Sequence, residues 1–219
     1  MFRWLKSLGS ESKGLEGIHA RFLEMIDDGR HVFDAAANGL LGGSDPEVIR
    51  KDLFDTDRRI NRTEQEIRRA IVVHGSVHGA GSFPALLVMM SLVKDAERIG
   101  DYGKNIFDLL AHGVRIEGGE RKALVTLKDE VSKLLVRSHG LFASQDERGS
   151  REFLDQAAAL EDRCDAAVDR LLEETGRNTG GEVLTYRYFK RVISHSSNIV
   201  TSIVVPLDRL DFFDEPRED

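Results

Sequence analysis

The sequence predicts an all-α protein built from two tandem three-helix bundles. Three observations support this fold class. The 219 residues include only four prolines, apolar residues recur at spacings of 3 and 4 through six segments, and the pair Gly118-Gly119 separates the first three segments from the last three. The hydrophobic content of 41% and charged content of 32% are typical of a chain that buries a sizeable core.

The first half contains three of the predicted helices. The first helix carries its apolar stripe from Leu15 to Leu40 and ends at Gly42-Gly43. The second starts at the Ser-Asp-Pro-Glu sequence of residues 44–47, which has the pattern of a capping box, and ends in the glycine-containing stretch 74–81. The third begins at Ser82 and Pro84 and extends to about His112.

The second half repeats this plan. The fourth helix carries Leu124 to Leu141 and is followed by a polar loop at residues 144–150. The fifth carries apolar residues from Phe153 to Leu171 and ends at the stretch 176–181, and the sixth carries Tyr186 to Ile203 and is cut by Pro206. The predicted divisions are an N-terminal tail at 1–14, a first bundle at 15–118, a second bundle at 119–210 and an acidic tail at 211–219.

An internal duplication is predicted from matches between the halves. A shift of 108 residues pairs Asp57 with Asp165, and a shift of 93 residues pairs Arg98 with Arg191 and Asn105 with Asn198. The identities are few, but they respect the helix pattern, so we interpret them as traces of a duplication.

Charge and composition narrow the class of partner. The formal net charge is −7, which argues against a broad nucleic-acid-binding face. The longest apolar run, residues 83–93, is too short to span a bilayer. The opening MFRWLKSLG is too short and too interrupted by charge for a signal peptide, and weak contact with a membrane surface is a minor alternative for it. We therefore expect a cytoplasmic protein with no transmembrane segment and no nucleic-acid partner.

The third helix has a narrow, oxygen-rich face. At 100° per residue, the side chains of this face fall within about 80° of one another: Glu97, Asp101, Asn105 and Asp108. The opposite face is apolar, so the helix has one side for packing and one for chemistry. This pattern makes the third helix the first place to look for function.

Two other helices carry acids at helical spacing. On the second helix, Asp57 lies within an apolar stripe and Asn61 follows it by one turn. On the fifth, Glu161, Asp165 and Asp169 stack one turn apart. Like charges at this spacing repel each other, and a bound metal ion would remove that cost. The alternative is a solvated acidic face whose partners are nearby arginines: Arg58, Arg59, Arg62 and Arg98.

Catalytic patterns are missing from the sequence. It has no Walker loop, no Gly-x-Gly-x-x-Gly and no Gly-x-Ser-x-Gly. One Glu-x-x-His at residues 16–19 has no second copy, which disfavours a carboxylate-bridged di-iron oxidase. His74 and His78 have metal-ligand spacing but lie among glycines, so we predict a loop there in which they have a structural or solvent-facing role. Cys164 lies on a core seam and is interpreted as packing. No catalytic residue is therefore assigned.

At residues 97–106 the run ERIGDYGKNI closely resembles the signature of the PhoU family of phosphate-signalling regulators. The run DRRINRTEQEI at residues 57–67 is similar to the preceding helix of that family, and RVISHSSNI at 191–199 also fits. The resemblance covers about residues 15–210. The opening MFRWLK and the run LEDRCD at 160–165 resemble a more distant PhoU-like group often encoded with phosphate permeases.

The resemblance implies two three-helix bundles related by pseudo-twofold symmetry. It implies metal ions held by Glu/Asp-x-x-x-Asp motifs, as iron or zinc, with manganese or magnesium as alternatives. It implies a non-enzymatic negative regulator that couples a phosphate ABC transporter, through its ATPase, to a sensor histidine kinase. A phosphate permease as the transport partner stays open, and so does homodimerisation.

The chain departs from the family pattern in its second half. The positions that match Glu97 and Asp101 are Lys190 and Ser194. We therefore expect the stronger metal site in the first half, from Asp57, Asn61, Glu97 and Asp101. The second, from Glu161, Asp165 and Asp169, should be weak or absent, with Lys190 pairing with Asp165 or Asp169. The rival hypotheses are a metal-dependent hydrolase or redox enzyme and a plain helical scaffold.

Overall fold

A computed structural model describes residues 12–78, 83–206 and 209–210. Within these ranges the chain forms six α-helices and no strand, which confirms the predicted all-α class. The helices are α1 (Ser12–Gly42), α2 (Pro46–His78), α3 (Phe83–Ala111), α4 (Gly118–Ser144), α5 (Glu147–Glu173) and α6 (Gly180–Val204). Most of the predicted N-terminal tail, the residue Ser82 and the acidic tail from residue 211 lie outside the described residues. None of the described helices is long and apolar enough to cross a membrane.

The helices pack as two groups of three. α1, α2 and α3 contact one another, α4, α5 and α6 do the same, and the groups meet through α1 against α4 and α3 against α6. The aromatic core crosses this boundary, because the Phe33 ring meets Phe189 at 5.1 Å and the Phe22 ring meets Phe142 at 4.7 Å. All four of these rings are fully buried. The two bundles therefore share one continuous apolar core.

The connection between α4 and α5 is shorter than the sequence suggests. Instead of a polar loop over residues 144–150, only Gln145 and Asp146 lie outside the helices. Gln145 ends α4 in the left-handed conformation with φ 56°, and its backbone N–H donates to Leu141. The Asp146 carboxylate then accepts from the backbone N–H groups of Arg148 and Gly149. Because the C-cap of α4 is followed directly by the N-cap of α5, most of the polar residues predicted to form a loop belong to the ends of the two helices.

The second helix also differs at both ends from its prediction. At its start the capping side chain is Asp45, which accepts from the Glu47 N–H at 2.9 Å, instead of Ser44. At its end α2 continues through His74 and Gly75 to His78, where a loop is predicted from the glycines. A glycine suits position 75 of α2 because α3 lies close to its backbone. A Cβ added at this glycine would lie 3.3 Å from Leu86.

A glycine sets the distance between α1 and α3. A Cβ at Gly103 would lie 2.7 Å from the Val32 side chain and 3.0 Å from the Phe33 backbone nitrogen. The obstacle is partly backbone, which cannot move aside as a side chain can. At Gly100 the added atom would meet only the flexible end of Ile60, at 2.9 Å. Gly103 therefore permits the close approach of the two helices.

Where α3 meets α6, a buried polar cluster forms. The Asp95 carboxylate is 2% exposed and accepts from His195 Nδ1 at 2.8 Å and from Asn198 Nδ2 at 3.0 Å. The Tyr102 ring stacks on His195 at 5.6 Å and lies 6.0 Å from Tyr188. Under the predicted 93-residue shift, Asp95 corresponds to Tyr188 and His195 corresponds to Tyr102. These directional contacts fix the register of α3 against α6.

Replacing Gly103 by alanine is expected to destabilise the protein by about 1–2 kcal/mol, although alanine is the better helix former. The overpacking cost at a backbone contact, typically about 1–3 kcal/mol, exceeds the helix-propensity gain of about 1 kcal/mol. Chemical denaturation measures the difference. Gly140→Ala is the matched control, since nothing lies within 4 Å of its added Cβ; it should stabilise by about 0.5–1 kcal/mol. Equal effects of the two substitutions would contradict this account.

Candidate metal site

The first candidate site forms where α2 and α3 lie side by side. Asp57 on α2 is 8% exposed, and Asn61 donates from Nδ2 to its Oδ2 at 3.4 Å. Between the helices, the Lys104 Nζ lies 2.9 Å from Asp57 Oδ1 and 3.0 Å from Asp101 Oδ1. The structure thus brings the predicted ligands Asp57 and Asp101 together, and it joins them through an ammonium group.

Lys104 is the residue that the sequence argument missed. Burial by itself would lower the pKa of this lysine, but its hydrogen bonds to Asp57 and Asp101 outweigh burial and raise the pKa. The ammonium is therefore charged throughout the neutral range. A signal was present, because Lys104 follows Asp101 by three residues and thus lies on the same side of α3. The sequence could not show that Asp57 of α2 lies opposite Lys104 of α3.

The second predicted ligand on α3, Glu97, is in a different electrostatic position. Burial, together with repulsion from the neighbouring carboxylates of Asp101 and Glu64, raises its pKa to about 7. Arg98 opposes the shift, with its Nε 3.8 Å from Glu97, but this guanidinium is shared with Asp101. Glu97 is thus an acid whose negative charge is only partly compensated by its surroundings.

The donor chemistry of this face suits a hard cation, because carboxylate and amide oxygens dominate it. However, no three His, Cys, Asp or Glu side chains in the described parts of the chain converge closely enough to hold a metal ion. A cation is already supplied by Lys104, which contacts two of the four predicted ligands. A metal would therefore compete with an internal ammonium for Asp57 and Asp101.

The corresponding face of the second bundle is also occupied by cationic side chains. Asp165 on α5 forms an ion pair with Lys190 of α6 and lies 3.3 Å from Arg187. This is the pairing of Lys190 that the sequence predicts. Asp169 is exposed on the same helix, and Glu161 is half-buried. Lys190 of α6, which matches Glu97 of α3 in the predicted duplication, thus contributes a positive charge to this face instead of a negative one.

The remaining residues singled out from the sequence have simpler surroundings. Asn105 and Asp108 line a cleft of about 400 Å³ beside Tyr102 and Lys104. Cys164 is fully buried, and burial raises the pKa of its thiol to about 12, as expected of a packing residue. His74 is buried on α2. Asn105 and Asp108 thus share their cleft with Asp101, whereas Cys164 and His74 are buried.

Stability should depend on pH through Glu97. Its native pKa of about 7 exceeds its ordinary value of 4.5, so between these values the unfolded chain binds fewer protons than the native protein. The stabilisation is therefore complete below pH 4.5 and is lost as pH rises through 7. In chelator-treated buffer, Glu97→Gln should match wild type near pH 5 and be more stable near pH 8, as measured by urea unfolding. An exposed control, Glu24→Gln, should parallel wild type; a parallel Glu97→Gln curve would contradict the assignment.

Comparison with known proteins agrees with this fold. The PhoU domain family matches residues 22–110, which run from α1 to the end of α3 and include the acidic face with Lys104. The crystal structure of PhoU from Pseudomonas aeruginosa is similar to the whole fold, with a TM-score of 0.71 and 18% sequence identity over 87% of this chain and 95% of that chain. No curated protein sequence matches. Residues 22–110 thus belong to the PhoU domain family, and the chain as a whole has the PhoU fold.

Proposed function

We propose that this protein is a non-enzymatic negative regulator of phosphate uptake and signalling. The observation that carries the proposal is the PhoU domain over α1–α3, in which the run at residues 97–106 forms the acidic face of α3. The groups on that face form ion pairs with one another, which suits a docking surface better than a reaction centre.

The partners follow from the family and are part of the same proposal. A cytoplasmic adaptor of this kind would contact the ATPase of a phosphate ABC transporter and a sensor histidine kinase. An accessory role at a phosphate permease is the second candidate, favoured by the resemblance of the opening MFRWLK and of residues 160–165 to the permease-associated group. Homodimerisation and the internal duplication belong to the proposal as well.

Deleting the gene should raise expression of a phosphate-regulated reporter in phosphate-rich medium, because a negative regulator is lost. Expression of the wild-type chain should restore repression, and Gly140→Ala should do so equally. Phosphate uptake is measured in the same cells. Changed uptake with an unchanged reporter would favour the permease role, and no change in either would contradict regulation. Phosphoesterase activity abolished by Glu97→Ala would instead indicate an enzyme.

We further propose that Asp57, Asn61, Glu97 and Asp101 converge on iron, zinc or manganese when such an ion displaces Lys104, although these side chains do not converge on a metal position in the described structure. The negative charge of Glu97, which is only partly compensated, supports the proposal. A metal ion must bind more strongly than Lys104, whose ammonium contacts both Asp57 and Asp101. Magnesium would face the same competition. In the second bundle, where Lys190 and Arg187 face Asp165, we propose a weak site or none.

Elemental analysis after purification without chelator or histidine tag tests this site. Metal should be near stoichiometric in wild type and lost in Glu97→Ala/Asp101→Ala. Lys104→Met should bind metal about tenfold more tightly, equivalent to ~1.4 kcal/mol, since the competing ammonium is gone. Lys128→Met is the control, because Lys128 pairs with Asp129 on α4. Metal retained by the double variant, or absent from every variant after soaking, would refute the site.

A further inference from the structure

Four basic residues form a line on the exposed side of α2. At 100° per residue their side chains fall within about 40° of one another, and the line is about 27 Å long. We call these exposed residues the basic stripe: Lys51, Arg58, Arg62 and Arg69. Among the described residues, only Arg58 of the four has a carboxylate partner, which is Asp55. Arg59 and Arg68, which lie beside the stripe, are both paired with acids.

Four acidic residues form a matching line on α5. Their side chains also fall within about 40° of one another over about 27 Å of helix. We call these exposed residues the acidic stripe: Asp155, Asp162, Asp169 and Glu173. In the described parts of the chain, none of the four has a basic partner. The neighbouring Arg163 and Arg170 pair instead with Glu130 and Glu120 of α4.

The two stripes lie on the outer helix of each bundle. α2 packs mainly against α1 and α3, and α5 packs mainly against α6, whereas the junction between the bundles is formed by α1, α3, α4 and α6. The basic stripe therefore does not meet the acidic stripe within one chain. Both lines of charge remain open to a partner from outside.

We propose that the basic stripe of one copy of this chain docks on the acidic stripe of another copy, with the two helices parallel. The stripes have the same length and opposite charge, which is the complementarity that favours one partner over others. A shift of 104 residues between the helices places three pairs of opposite charge face to face: Lys51 with Asp155, Arg58 with Asp162, and Arg69 with Glu173.

The residues beside the stripes favour this parallel register. Arg151, one turn before the acidic stripe, comes opposite Glu47, which also pairs with Arg50. An antiparallel arrangement would form three ion pairs as well, but it would place Asp55 opposite Asp169. Like charges that face each other at an interface are costly.

A second copy fits better than other anionic partners. The net charge of −7 repels a nucleic acid or an anionic membrane from the rest of the protein. An acidic segment of a different protein would pair with the basic stripe but would leave the acidic stripe open. Because the contact joins two different surfaces, copies associate head to tail. The inference specifies surfaces for the homodimerisation in the proposed function. It does not rest on phosphate regulation, since self-association and reporter expression are measured separately and either can fail alone.

Sedimentation velocity of the full chain over a series of concentrations tests the contact. Self-association seen at low ionic strength should be lost at about 1 M salt, where the Debye length is about 3 Å. The variants Lys51→Glu/Arg69→Glu and Asp155→Lys/Glu173→Lys each set like charges opposite one another. Each should raise the dissociation constant by about tenfold or more, because like charges suppress docking. Mixing the two variants supplies the exchanged pairs and should restore association.

Two control variants change the net charge by the same amounts at exposed residues of other helices. They are Lys122→Glu/Lys133→Glu on α4 and Glu16→Lys/Glu24→Lys on α1, and both should associate as wild type does. Three results would overturn the proposal. They are a wild type that stays monomeric at low salt, controls that weaken association as much as the stripe variants, and a mixture of the stripe variants that stays monomeric. The first result would assign the basic stripe to an acidic segment of a different protein.

Discussion

The close packing of α1 against α3 at Gly103 is the contact on which the rest of the arrangement depends. A side chain at this position would collide with the backbone of α1. Once α3 lies that near α1, its rotation is fixed, with Ile99 and Ile106 buried and the acidic residues turned toward α2. The same rotation directs Asp95 toward α6, where His195 and Asn198 meet it. One glycine thus orients both the candidate site and the junction between the bundles.

In each of the two acidic faces a lysine forms an ion pair with an aspartate, but the lysines occupy different positions. Asp57 is neutralised by Lys104, which lies seven residues after Glu97, whereas Asp165 is neutralised by Lys190, which stands in the position equivalent to Glu97. An ammonium at either place relieves the repulsion between stacked carboxylates. The difference is that the first face retains Glu97 as an additional acid with a raised pKa, so the negative charge of that face is only partly compensated.

Charge is distributed unevenly along the first bundle. The middle of α2 and α3 carries the ion pairs of the acidic face, while the end formed by residues 70–78 and 83–93 has none of the four charged residue types. The acidic face therefore suits polar partners or cations, whereas at the uncharged end the apolar side chains of Val72, Val77 and Leu87 are exposed to solvent. A single bundle in this way offers two surfaces of opposite character, separated along the helix axes.

The sequence by itself determined the helical class, the number of helices and most of their ends, because apolar periodicity and glycine breaks are local signals. It failed at the α4–α5 connection and at the end of α2, where caps and close packing override the local preference of polar residues and glycine. It also identified Asp57, Glu97 and Asp101 as candidates and anticipated the contact of Lys190 with Asp165. Only the tertiary structure decided that Lys104 bridges two of those acids and that Asp95 pairs with His195, since both depend on which helices become neighbours and how each is rotated.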